Sequence, residues 1–201
     1  MHSMHSKQNK MIKIPEKDND LQFLLANKGT KNFLVVGLNP PDSDSADPGS
    51  SLHYIPQVAE DMGYDGWVLV NLFPIKKTRI FNMDPLQLEA LIRYNIHLIK
   101  LVLESEQFEI KDVLLAWGNG IESQPYLKQT AGYLYKELLS MDLNYLCYLR
   151  TAMGNPRDLI PKNWKGRGLP WEMGCRKFDF QNFIRRREMK PQIDVEGLMI
   201  Y

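Results

Sequence analysis

Cysteine is scarce in this chain: two in 201 residues, Cys147 and Cys175. A disulfide framework is therefore not what holds the fold, and their spacing is not that of paired metal ligands, so a cytoplasmic protein with reduced thiols is expected. Histidine is almost as rare. His2 and His5 fall in a polar N-terminal arm, and His53 and His97 have no cysteine or histidine nearby, so neither a structural zinc site nor a cofactor is expected. No apolar run approaches the length that spans a bilayer, and the first fifteen residues lack the apolar core of a signal peptide, so no membrane partner is expected. Net charge is nearly absent too, at +1.

That near-neutrality hides an asymmetry. Residues 1–149 carry 14 basic and 18 acidic side chains, whereas residues 150–190 carry 11 basic and 4 acidic, a local charge of +7. A basic C-terminal segment on a neutral-to-acidic body attracts phosphate-bearing partners, or else forms a solvated face. Its aromatics, Trp164, Trp171, Phe178, Phe180 and Phe183, alternate with Lys162, Lys165, Arg167, Arg176, Lys177 and Arg185 to Arg187. This mixture suits stacking on bases, or equally an arm whose rings pack on the body while its charges face water.

What the chain does have is a series of short apolar runs, each broken by a polar turn. Phe33 to Val36 runs into Gly37-Leu38-Asn39-Pro40-Pro41 and the acidic stretch Asp42 to Asp47. A run of that length bounded by Gly and Pro reads as a buried strand, here Asn32 to Gly37, and open α/β sheets place their ligands at the carboxyl ends of such strands. Further strands are expected in the run Gly66 to Pro74, at Asp112 to Trp117 and at Asn144 to Leu149. Asn71 is an amide inside an otherwise apolar run, so it must be satisfied by backbone or aimed at a ligand.

Helices are expected between the strands. Ser50 or Ser51 caps one that carries Leu52, Ile55, Val58, Ala59 and Met62 and is closed by Gly63. Asp84-Pro85-Leu86-Gln87 opens a long amphipathic one that carries Asn95 and His97, of which His97 reads as an ordinary helix residue rather than a ligand or base. A third covers roughly Pro125 to Ser140, and a short one is expected over Asp18 to Asn27 with a stop at Gly29. The expected organisation is a flexible arm over 1–15, an α/β core over 16–160, and a basic, aromatic extension over 161–201. Alternating strands and helices imply parallel βαβ units, which gather the four strand-end turns on one edge.

Taken together, Gly37-Leu38-Asn39-Pro40, the Asp-rich turn, Gly63-Tyr64, Val70-Asn71-Leu72-Phe73, Ala116-Trp117-Gly118-Asn119 and Gly154-Asn155-Pro156-Arg157 resemble domain-of-unknown-function family 1643. The same order of turns is similar, more distantly, to the uracil-DNA glycosylase superfamily. That resemblance implies a three-layer α/β/α fold with a central four-stranded parallel sheet. It implies Asn39 as the residue that orients an attacking water and Asn155 at the departing base, where the best-known members have histidine. Gly37, Asn71, Trp117 and Asn119 would bind the base, and Arg157, Lys165 and Arg167 would hold phosphate.

The implied activity is hydrolysis of an N-glycosidic bond, with nucleic acid or a nucleotide as partner and the base turned out of its stack. Leu159 and Ile160 are candidates for a wedge into DNA, or for two core aliphatics. Two other readings stand beside it: a binding module that has lost the reaction, and a metal-dependent phosphohydrolase built on Asp42, Asp44 and Asp47. Alternate carboxylates suit Mg²⁺ or Ca²⁺, but Ala46 and the missing Glu break the EF-hand pattern.

Overall fold

The computed structural model describes residues 11–18, 20–41, 50–76, 83–159 and 174–186. Its centre is formed by four strands, β3 (Asn32–Gly37), β4 (Gly66–Asn71), β5 (Asp112–Leu115) and β6 (Asn144–Cys147). These pair in parallel in the order β4-β3-β5-β6. Three further strands extend this centre to a seven-stranded mixed sheet: β1 (Met11–Ile14) and β2 (Leu24–Asn27) beyond β4, and β7 (Arg176–Lys177) beyond β6, all antiparallel. The sheet is therefore larger than the four strands expected.

Strand alternation divides the core between the two faces of the sheet. Leu34, Val36, Val68, Val70, Val113 and Leu115 belong to one cluster, with α2 (Pro85–Glu104), α3 (Pro125–Leu138) and α4 (Phe180–Arg186). Their neighbours Phe33, Val35, Trp67, Leu69 and Leu114 belong to the other, with Leu52, Ile55, Val58 and Ala59 of α1 (Ser51–Asp61). Both faces of the parallel strands are covered, which is why those strands read as unbroken apolar runs.

The helix ends follow their local chemistry. The Ser50 side chain accepts from Leu52 N, and Gly63 closes α1 at φ +77°. Asp84 accepts from Gln87 N at 3.3 Å with Pro85 in the first turn of α2.

Three expectations need correction. Leu24–Asn27 is a strand, not part of a helix, because Leu25, Ala26 and Asn27 pair with Leu69, Val68 and Trp67. Gly29 accordingly stops no helix; it sits in the turn before β3 and donates to Asn32 Oδ1 at 2.8 Å. Met11–Ile14, expected in a flexible arm, is paired along its length with β2.

In the C-terminal segment, Phe178, Phe180 and Phe183 are buried on the body while Arg185 and Arg186 are exposed. Among these described residues the rings serve packing rather than base stacking. The Asp-rich loop, Trp164, Lys165, Arg167 and Trp171 lie outside the described residues.

Candidate functional site

Strand order brings the four polar turns to one edge, and the backbone then laces them together. Leu72 N donates to Gly37 O and Phe73 N to Leu38 O, both at 2.9 Å, joining the turns after β4 and β3. Ala116 N donates to Val36 O at 2.9 Å, and Gly118 N to Pro156 O at 2.8 Å, which carries the series on to the turns after β5 and β6. Successive connections leave β3 toward β4 on one side and β4 toward β5 on the other, so the crevice between the β3 and β5 ends is a topological switch point. Leu38 packs there against the Cα of Gly120.

Asn71 is the last residue of β4 and lies opposite Gly37 in the ladder. It is 1 % exposed, and its Nδ2 has no hydrogen-bond partner. The amide fits because residue 37 has no side chain: a Cβ there would stand 2.6 Å from Asn71 Oδ1. On the opposite face Asn95, fully buried in α2, donates to the carbonyls of Asn71 at 2.8 Å and Leu72 at 3.2 Å, fixing the strand end from behind.

Asn39 is half-buried and donates through Nδ2 to Ile75 O at 2.9 Å, which leaves its Oδ1 as the atom available to a ligand or water. Asn155 is fully buried. Its Nδ2 donates to Asn119 Oδ1 at 3.0 Å and to Glu122 Oε1 at 3.1 Å, and its Oδ1 has no partner. Glu122 sits on the 3₁₀ turn Gly118–Ser123 and is ion-paired through Oε2 with Lys128 Nζ of α3 at 2.6 Å.

The structure therefore couples Asn71 with Gly37, and Asn155 with Asn119, on adjoining turns of the rim. Glu122 and Asn95 were missed from sequence. A Glu two residues past Gly120 reads as an exposed turn residue, and Asn95 reads as a helix-surface amide. Asp158, whose carboxylate lies over the Cα of Gly118, was likewise not singled out. Gly118 is at φ +62°, and a side chain there would collide with that carboxylate.

Other expected site residues are placed differently. Trp117 is fully buried with its ring 5.6 Å from Phe180 and 5.9 Å from Phe183, so it presents no face to a base. Asn119 is exposed and accepts from the Asn155 amide. Arg157 is half-buried beside the rim, its N–H donating to Leu149 O at 2.9 Å. Lys165 and Arg167 fall outside the described residues. Leu159 is buried in the α1-side core, which among the described residues favours packing over a wedge.

Elsewhere, a groove of about 160 Å³ is lined by Arg93, Ile96, His97, Tyr133 and Glu137 of α2 and α3, and no rim residue contributes to it. Away from the rim, Cys175 approaches Met62 Sδ at 3.8 Å, and burial pushes its thiol up to about 12, so it is protonated at neutral pH. Among the described residues no group of three or more His, Cys, Asp or Glu is arranged to hold a metal ion, and no helix is long and apolar enough to cross a membrane.

Comparison with known proteins adds one match: the model of a family described as "Protein of unknown function (DUF1643)" covers residues 22–157. No curated protein and no solved structure matches.

Proposed function

The chain belongs to the DUF1643 family, whose description assigns no activity, and from the geometry of the rim we propose that it binds a nucleobase, carried by a nucleic acid or nucleotide, and hydrolyses its N-glycosidic bond. One observation carries this reading. Asn71 Nδ2 at the end of β4 and Asn155 Oδ1 on the turn after β6, a donor and an acceptor along the same edge of the sheet, are buried without partners. Each such atom costs about 1–3 kcal/mol if left unmade, and a planar heterocycle offering an acceptor to one and a donor to the other satisfies both.

The parallel order β4-β3-β5-β6 with helices on both faces supports the three-layer arrangement of the uracil-DNA glycosylase superfamily. Asn39 Oδ1 orients the attacking water. The bond from C1′ to the ring nitrogen breaks with its electron pair going to the base, the water oxygen bonds to C1′, and the water's proton passes to solvent. An amide is no general base, so the reaction depends on positioning, which gives slow turnover. Arg157, and in this reading Lys165 and Arg167, hold the phosphates.

A second reading, a binding module without turnover, is favoured by one observation: the Glu122 carboxylate is tied to both Lys128 and Asn155 and is not free to act as a base. Oligonucleotides bearing uracil, hypoxanthine, xanthine, mismatched thymine or N7-methylguanine, scored for both binding and abasic sites, separate the two. Hydrolysis predicts product that Asn39→Ala abolishes while binding survives, and loss of both in Asn71→Ala. Binding without product from the wild type selects the module, and no binding to any base overturns the proposal.

A further inference from the structure

Both hydrogens of the Asn155 amide are committed, one to Asn119 Oδ1 and one to Glu122 Oε1. Turning the amide over would set its oxygen against those two oxygens, so its orientation is fixed, and Lys128 fixes Glu122 in turn. Asn155 therefore meets a ligand as an acceptor only, while Asn71 Nδ2 meets it as a donor. Asn71 at the end of β4 and Asn155 after β6 stand on either side of the turns that follow β3 and β5, so they address opposite sides of a ring bound between them.

Uracil presents carbonyl oxygens on both sides, and it departs as an anion whose charge would build up against the Asn155 oxygen. A guanine edge presents a carbonyl on one side and an amine on the other. We infer that the rim selects a guanine-type base already carrying positive charge through N-alkylation, such as N7-methylguanine, with Glu122 as the residue that positions Asn155. This rests on the base-hydrolase reading above and names its substrate.

The chemistry agrees with what the rim lacks among the described residues. A cationic base leaves neutral: the C1′–N9 electron pair cancels its charge, water supplies the oxygen to C1′, and one proton is released. No acid is needed for the leaving group, and the weakened bond needs only a positioned water. Asn71 Nδ2 donates to O6, and Asn155 Oδ1 accepts from the exocyclic amine, whose hydrogens the positive charge makes better donors.

The test compares oligonucleotides with a single N7-methylguanine or a single uracil, against a protein-free control for spontaneous depurination. A 2′-fluoro N7-methylguanine that resists cleavage reports binding if turnover is absent. The expected result is at least a tenfold preference for N7-methylguanine, in abasic sites or in binding. Glu122→Ala, which frees the amide to turn, is expected to bring that ratio toward one; a ratio is insensitive to partial loss of folded protein. Uracil handled as well as N7-methylguanine overturns the inference and leaves the base-binding reading standing, whereas no base bound at all removes both. A ratio unchanged in Glu122→Ala overturns the role given to Glu122 and with it the argument for an acceptor.

Discussion

Asn95, in the middle of α2, reaches the carboxyl end of β4 and donates to the Asn71 carbonyl at 2.8 Å. A helix amide thus replaces the neighbour that the strand loses where its ladder ends, and the side-chain amide of Asn71 projects from a backbone held on its other face.

Replacing Asn95 with Ala leaves the Asn71 and Leu72 carbonyls buried without this donor. The expected cost is about 1–3 kcal/mol in equilibrium urea unfolding, with ligand affinity at the rim reduced as well. Unchanged stability would mean that water takes the donor's place.

Gly37→Ala places a methyl group where the Asn71 amide now lies, at 2.6 Å from Oδ1. The strand pairing on either side tolerates Ala, so the protein is expected to fold with a modest loss of stability while nucleobase binding falls at least tenfold. Binding equal to wild type would place the ligand elsewhere.

Asp65 accepts from Thr30 Oγ1, Thr30 N and Lys31 N, and these bonds lower its pKa from 3.8 to about 2. Because the folded state favours the carboxylate, the stabilisation is present above pH 3.8 and is lost as pH falls toward 2. Asp65→Asn is therefore expected to lower Tm at neutral pH, with the gap from wild type closing across that acid window. A gap of constant size over a Tm series from neutral pH to pH 2 would contradict the linkage.

Phe180 is 1 % exposed, with its ring 5.0 Å from Tyr135, 5.2 Å from Tyr145 and 5.6 Å from Trp117. Phe180→Ala is expected to destabilise the protein by about 3–5 kcal/mol, whereas Arg185→Ala, at an exposed position of the same helix, stays within about 0.5 kcal/mol. Chemical denaturation of the two variants compares them directly; similar losses would mean that α4 is held by charge rather than by its rings.

The parts of the fold legible in sequence are those whose local chemistry and tertiary role agree. Phe33 to Val36 and Trp67 to Val70 are buried on both sides, so their apolar runs announce them, and Asp84-Pro85 announces α2. Leu24–Asn27 misled because Leu and Ala favour helix, and only pairing with β4 makes it a strand. Arg176–Lys177 carries no strand signal at all; its state comes from Leu146 and Cys147 opposite.

At the candidate site, Asn71 was legible as a polar interruption in an apolar run. Glu122 and Asn95 were not, because their meaning lies in partners 33 and 24 residues away. Trp117 misled for the opposite reason: an aromatic beside a Gly-Asn turn looks like a stacking platform until α4 closes over it.

On the β6 side, the described sheet ends in Arg176 and Lys177, two exposed residues whose side chains are both cationic. An incoming strand from another copy would find a ladder only two residues long, guarded by like charges that its own border repeats. Such a margin resists strand-to-strand polymerisation at that edge, so the β7 border is not expected to seed fibrils as long as it remains folded.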